Sequence, residues 1–362
     1  MPLRSALIAI ALLLWPLSTT AEVIRVASFN TEMQRDGPGL FLRDLNRGTD
    51  EDIAAVVDVV AQAAPDVLAL QGIDWDFEQE ALSALVELLN NAGLDYPFQF
   101  ALMPNSGLAS GLDLDGDGRL GGPGDAQGYG AFTGQGGIAV LSRFPIRAEE
   151  ATDLSPLLWR EMPDALLPQH EAGDPFPSPA ALDVQRLSST GHWIVPIELP
   201  DGTVFDLLTF QAGPPVFDGP EDRNGRRNHD EIVIWRFVWD GLYGPLAPRF
   251  VLAGGANLDP NDSDGRSEAI QALLSDPRIS DPEPSSGGAA EAQDQGHRND
   301  NALDTVDWSG PGRLRVDYVL PSAAGWTVAG SGVYWPKAGQ DGHDLVSSAS
   351  RHRLVWVDLI AD

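Results

Sequence analysis

The sequence predicts an α/β fold in one continuous domain, and three observations carry that expectation. Short apolar-rich runs bounded by turn residues read as strands, and they outnumber the helices. Amphipathic helical stripes are interspersed among them through both halves, with no linker and no internal repeat dividing the chain. Polar residues recur just past the ends of the apolar runs, where α/β folds gather their sites.

The first strand is Val23-Ile24-Arg25-Val26-Ala27-Ser28-Phe29-Asn30, apolar-rich and closed by polar residues. Ile53, Val56, Val57 and Val60 then fall at helical spacing within 52–63. Thr49, with Asp52 three residues on, is the expected cap, and Pro65 the stop. Residues 67–70 read as a buried strand. Residues 77–91 read as a helix with Leu82, Leu85, Val86 and Leu89 on one face and Gly93 at its end. After a Gly-rich insertion, 137–141 reads as a strand, and the Pro-rich, acidic stretch 154–181 as a surface loop. The second half repeats the rhythm with a strand at 204–210, a helix at 228–242 and a strand at 250–253. An exposed loop follows at 281–300, and strands at 314–320, 327–334 and 354–359 finish the chain.

Composition narrows the classes further. Of 362 residues 43% are hydrophobic, enough for a large core, and the absence of cysteine excludes disulfides and thiolate metal sites. Arg4, the apolar stretch from Ala6 to Leu17 and the small residues before Ala21 predict a secretory signal peptide over 1–21, cleaved to leave 22–362 as the domain. The stretch is too short to span a bilayer, so the expectation is a periplasmic or extracellular protein with no membrane association after cleavage. A thiol-free chain suits an oxidising compartment. The net charge of −30, from 23 Lys plus Arg against 53 Asp plus Glu, disfavours nucleic acid as a partner. Oligomeric state is not legible.

The strand-end clusters are Ser28-Phe29-Asn30-Thr31-Glu32, Gln71-Gly72, Phe210-Gln211, Gly255-Ala256-Asn257, Asp317-Tyr318 and Arg351-His352. Matching stretches include Pro65-Asp66-Val67-Leu68-Ala69-Leu70-Gln71, Gly137-Ile138-Ala139-Val140-Leu141-Ser142-Arg143 and Pro214-Pro215-Val216-Phe217-Asp218-Gly219. Leu252-Ala253-Gly254, Asn257-Leu258-Asp259-Pro260, Arg315-Val316-Asp317-Tyr318 and His352-Arg353-Leu354 complete them. In this order they resemble the endonuclease/exonuclease/phosphatase superfamily, in a bacterial-type secreted form, from Ile24 to Leu359. The resemblance implies a four-layered α/β sandwich, two mixed β-sheets packed between helices, and phosphoester hydrolysis with Mg²⁺ or a similar ion such as Mn²⁺.

Four positions depart from the family pattern. Its metal-binding glutamate after Leu-Gln is Gly72, its phosphate-contacting histidine is Gln211, and its water-orienting aspartate is Gly255. The closing Ser-Asp-His reads Ser350-Arg351-His352, a cation in place of a carboxylate. Mg²⁺ prefers carboxylate oxygens, so these changes disfavour Mg²⁺ or Mn²⁺ at the family site and predict lost or strongly impaired catalysis. What remains by resemblance is His352 to face the phosphate and Asp317 to orient it. Asn30 and Asn257 would hydrogen-bond the phosphate or the scaffold, and Glu32 would supply a metal shell. Arg351 adds a guanidinium suited to phosphate oxygens.

Two further features stand apart. Asp113-Leu114-Asp115-Gly116-Asp117-Gly118 opens like a Ca²⁺-binding loop, with Asp125 beside the twelfth position, and predicts a free-standing calcium loop or a plain acidic turn. The cluster Arg223-Asn224-Gly225-Arg226-Arg227-Asn228-His229, with Asn228 capping the helix, predicts an anion site at Arg226 and Arg227 or a loop paired with neighbouring carboxylates. The leading expectation is a pseudoenzyme that retains binding of a small phosphorylated molecule or anion. The alternatives are an active phosphodiesterase or phosphatase with a site rebuilt from Glu32, Asp317 and Asp74 or Asp259, and an interaction protein with a vestigial cleft.

Overall fold

The computed structural model describes residues 22–291, 294 and 296–362; the expected signal peptide, 1–21, lies outside them. The first sheet runs in the spatial order Trp326–Val333 (β12), Val355–Ala361 (β13), Val23–Asn30 (β1), Val67–Ile73 (β2), Gly137–Ser142 (β4) and Phe98–Phe100 (β3). The second runs Asp317–Pro321 (β11), Phe250–Gly255 (β8), Val204–Gln211 (β7), Gly191–Glu198 (β6) and Thr152–Asp153 (β5). Each sheet is mixed: β1 and β2 are parallel, as are β7 and β8, and the remaining pairs are antiparallel. A small ladder pairs Val306–Trp308 (β9) with Gly312–Leu314 (β10).

The sheets face each other because their strands alternate. Trp193, Val195 and Ile197 of β6 and Phe205 and Leu207 of β7 point into a core shared with β1, β2 and β13. Leu208 and Phe210 point the other way, against Arg223–Trp239 (α5) and Glu268–Leu274 (α6). Leu40–Arg47 (α1), Glu51–Ala63 (α2), Glu80–Asn91 (α3) and His343–Ala349 (α8) cover the outer face of the first sheet. Pro179–Val184 (α4) and Gly287–Ala290 (α7) are short loop helices. The result is the expected sandwich of two mixed sheets between helices.

Local differences have local causes. The cap of α2 is Asp50, whose carboxylate accepts from the Ile53 N–H at 3.0 Å, rather than Thr49. α3 begins at Glu80 because Asp76 takes the Glu80 and Ala81 N–H groups, each at 2.9 Å. α5 begins at Arg223, so Asn228 lies inside it instead of capping it. Buried Asn228 donates to the Gly213 and Ala256 carbonyls at 2.8 and 2.7 Å, clipping α5 to the ends of β7 and β8. The stretch expected as one strand at 314–320 divides into the end of β10 and the start of β11. Among the described residues no helix is long and apolar enough to cross a membrane.

Candidate functional site

Strand register gathers the polar residues at one end of the sandwich. Asn30 ends β1 opposite Gln71 of β2, and Gln211 of β7 pairs with Gly255 of β8, which in turn pairs with Asp317. β11 runs antiparallel to β8, so its first residue lies at the same end as β8's last. β13 runs antiparallel to β1, so His352, just before it, returns beside Asn30. The end of β1 and the segments after β8 and before β13 thereby open onto a cleft of ≈ 830 Å³ whose polar lining includes Asn30, Glu32, Asn257, Asp262, Asp264, Arg351 and His352.

Its best-ordered part is a relay. Asp317, fully buried, takes His352 Nδ1 at 2.8 Å and the Thr305 hydroxyl at 3.0 Å on its Oδ2. His352 is 3% exposed, rests its ring edge-on to Trp308, and directs Nε2 toward the Asn30 amide nitrogen at 3.4 Å. This network assigns the proton to Nδ1, which leaves Nε2 as the nitrogen turned to the cleft. Thr305 and Trp308 carried no sequence signal; a lone Thr just before the three-residue β9 and a lone Trp at its end match no spacing rule.

The second part is a clasp. Glu32 accepts from the Arg351 backbone N–H at 2.9 Å and from Arg351 Nε at 3.0 and 3.1 Å, with Nη2 also donating. The Ser350 hydroxyl bridges Glu32 and the Asn30 carbonyl at 3.2 and 2.8 Å. Burial alone would raise the Glu32 carboxyl, but the Arg351 hydrogen bonds and the nearby His352 outweigh it and hold it below its ordinary value. The Glu32 hydrogen bonds raise Arg351 in turn. The one carboxylate at this spot that the resemblance offered to a metal is therefore already neutralised by a guanidinium.

The residues present do not fit a divalent ion here. Gly72 has φ +72, and a Cβ built on it would sit 2.6 Å from Asn30 Oδ1 and 2.7 Å from the Glu32 backbone nitrogen. A Cβ on Gly255 would lie 2.2 Å from Gln211 Oε1. The Gln211 side chain thus fills the space beside Gly255, its Oε1 buried and without a partner among the described residues. Asp74 and Asp259 do not rebuild the site. Asp74 accepts from the Arg35 and Gly136 N–H groups, each at 3.0 Å. Asp259 pins its own turn through Asn261 and Asp262 and receives the Arg315 N–H at 2.9 Å.

The arginine cluster is not the anion site expected from its charge. Arg227 is buried and donates to the carbonyls of Leu187, Gln127, Arg186 and Ser188, and desolvation lowers it to about 10. Arg226 donates to the Glu221 carbonyl and lies 4.0 Å from Asp222. By contrast, Asp113, Asp115 and Asp117 bring carboxylate oxygens within 4.8 Å of one another. Asp125 stands outside that group; it accepts from the Leu114 and Gly122 N–H groups and holds the loop's base.

The family model described as "Endonuclease/Exonuclease/phosphatase family" matches residues 27–352. Among solved structures, the chain is similar to an endonuclease/exonuclease/phosphatase from Beutenbergia cavernae, with TM-score 0.53 and 18% identity over 94% of this chain and 72% of that one. It is also similar to the human Nocturnin catalytic domain with bound sulfate anion, with TM-score 0.50 and 14% identity over 94% and 95%. Sphingomyelinase C from Streptomyces griseocarneus gives TM-score 0.50 and 16% identity over 93% and 99%. No curated protein matches the chain.

Proposed function

Because the chain belongs to the endonuclease/exonuclease/phosphatase family, we propose that it is a secreted member that binds phosphate esters without metal-dependent hydrolysis. The Glu32–Arg351 clasp carries this reading. A guanidinium occupies the carboxylate that a metal would need, and its exposed N–H groups face the same cleft, which Asp262 and Asp264 also line. The Arg351 side chain is 65% exposed, so it can meet phosphate oxygens on the side turned away from Glu32. Asn30 and Asn257 add amide groups, and Asp317 holds His352 so that its Nε2, once protonated, donates to the bound oxygens. With Gly72, Gln211 and Gly255 at the positions of the family's metal-binding, phosphate-contacting and water-orienting groups, the bound ester stays intact in this reading. Export to the periplasm or medium is part of the proposal and rests on residues 1–21.

The intact Asp317–His352 pair favours a second reading, an active phosphodiesterase or phosphatase. The test incubates the mature chain with bis(p-nitrophenyl) phosphate and p-nitrophenyl phosphate, with Mn²⁺ or with chelator. Phosphate binding is titrated calorimetrically in parallel. Binding without turnover is expected. Metal-dependent turnover that disappears in His352→Ala overturns the proposal. Neither binding nor turnover leaves the family fold as an interaction scaffold.

A further inference from the structure

A second cleft, of ≈ 640 Å³, opens beside the first, and the two share Pro214, Phe217 and Asn257. Its charged side chains are engaged within the protein. Arg227 is bound to four carbonyls, and Arg223 donates to the Leu114 carbonyl. Glu231, wholly buried, accepts from the Ser189 and Gly213 N–H groups at 2.5 and 2.8 Å. Asp115 belongs to the acidic loop and accepts from the Asp117 N–H. Apart from the Asp115 carboxylate, what the cleft offers a ligand is neutral: the hydroxyls of Ser189 and Thr190, the Gln211 amide nitrogen, and the amide oxygens of Asn224 and Asn257, whose nitrogens donate to the Val216 and Ala212 carbonyls.

Two aromatic rings stand over these groups. Tyr129 is 80% exposed and Phe217 is 89% exposed. Phe217 also has φ +73, a left-handed conformation that is strained for a bulky side chain. Strain of this kind persists where the surrounding structure holds it, most often at ligand sites. Nothing in the core gains from an aromatic ring placed there.

We propose that this second cleft takes a neutral, polyhydroxylated ring, so that the ligand is a sugar phosphate whose phosphate lies in the first cleft. The inference rests on the phosphate-binding reading above. Neutral amides and hydroxyls match sugar hydroxyls in both donating and accepting. The negative faces of Tyr129 and Phe217 match the weakly positive C–H faces of a pyranose. A second anionic group meets two arginines already committed to carbonyls, and the Asp115 carboxylate, and is selected against.

The test titrates the full mature chain calorimetrically with glucose 1-phosphate, inorganic phosphate and glucose. Glucose 1-phosphate is expected to bind about tenfold or more tightly than phosphate. Tyr129→Ala and Phe217→Ala, both at exposed positions, are expected to bring that ratio toward one. Equal affinities in the native chain, or a ratio unchanged in both variants, overturn the sugar assignment while phosphate binding stands. If neither phosphate nor glucose 1-phosphate binds, both readings fall together.

Discussion

Restoring the family's glutamate by a single substitution should fail, and the reason lies in the backbone. Gly72 has φ +72, which costs a residue with a Cβ ~1–2 kcal/mol. That Cβ would also meet Asn30 Oδ1 at 2.6 Å and the Glu32 nitrogen at 2.7 Å. Glu32 N is backbone and cannot rotate away, so overpacking adds ~1–3 kcal/mol. Gly72→Ala is therefore expected to destabilise the chain by ~2–5 kcal/mol. Gly255 differs: its clash, at 2.2 Å, is with the flexible end of Gln211. Gly255→Ala should be tolerated better when Gln211→Ala removes that end, with a favourable coupling of ~1 kcal/mol. Urea unfolding with linear extrapolation measures both, as single variants and as a double-mutant cycle. A Gly72→Ala variant within ~0.5 kcal/mol of the native chain would refute the argument, because the pocket would then accept a side chain freely.

Three other outcomes follow from the same coordinates. Arg351→Ala should weaken phosphate binding by about ten- to a hundredfold in calorimetry, the loss of a charge-assisted contact, and Mg²⁺ should not restore it because Glu32 would stand alone. Desolvation raises buried Asp304 from 3.8 to about 6, so its native state favours the protonated form; that contribution is present below 3.8 and lost as pH rises through about 6. Asp304→Asn should then be more stable than the native chain by up to ~3 kcal/mol at pH 7 and equal to it near pH 3, read from denaturation at both pH values. The Asp113–Asp115–Asp117 loop should bind Ca²⁺, raising the Tm in Ca²⁺ relative to chelator, with the shift abolished in Asp115→Asn; an unchanged Tm would reduce the loop to an acidic turn.

Much of the fold was legible because apolar periodicity recorded it. The stripes of α2 and α3 are the buried residues Ile53, Val56, Val60, Leu82, Leu85 and Leu89. Periodicity failed where burial is polar. The first two turns of α5 carry Arg227 and Asn228, buried by hydrogen bonding to carbonyls, and no hydropathy pattern reveals that. β6 was masked by Pro196, which argues against a central strand. Its carbonyl accepts from the Arg147 N–H on the side away from β7, so the missing Pro N–H points beyond the two-residue β5. α1 is eight residues long with only Phe41 and Leu45 buried, too few for a stripe. In the site, strand-end residues were readable because α/β topology places them together, whereas Thr305 and Trp308 arrive on the short β9 ladder outside both large sheets. Which strands joined which sheet depended on pairings distant in sequence, such as Asp317 with Gly255, and local pattern does not encode them.

The four departures from the family pattern read differently once they are seen in space. In sequence they are independent losses, any of which might be reversed alone. In the fold they form two interlocked pairs. Arg351 is held by the Glu32 side chain, and the Glu32 backbone closes over Gly72, so the added cation and the missing carboxylate meet at the same residue. Gln211 fills the volume that a side chain at position 255 would need, so those two changes are likewise one packing arrangement. A site that had merely lost selection would leave voids and unpaired charge where the functional groups had been. This one has a paired Glu32, a filled space at Gly255 and an intact His352–Asp317 hydrogen bond. Two buried acceptors in that group, Gln211 Oε1 and Asp317 Oδ1, are without a partner among the described residues. Those two acceptors apart, the Glu32–Arg351 pairing and the packing of Gln211 against Gly255 are coupled local arrangements rather than four separate vacancies.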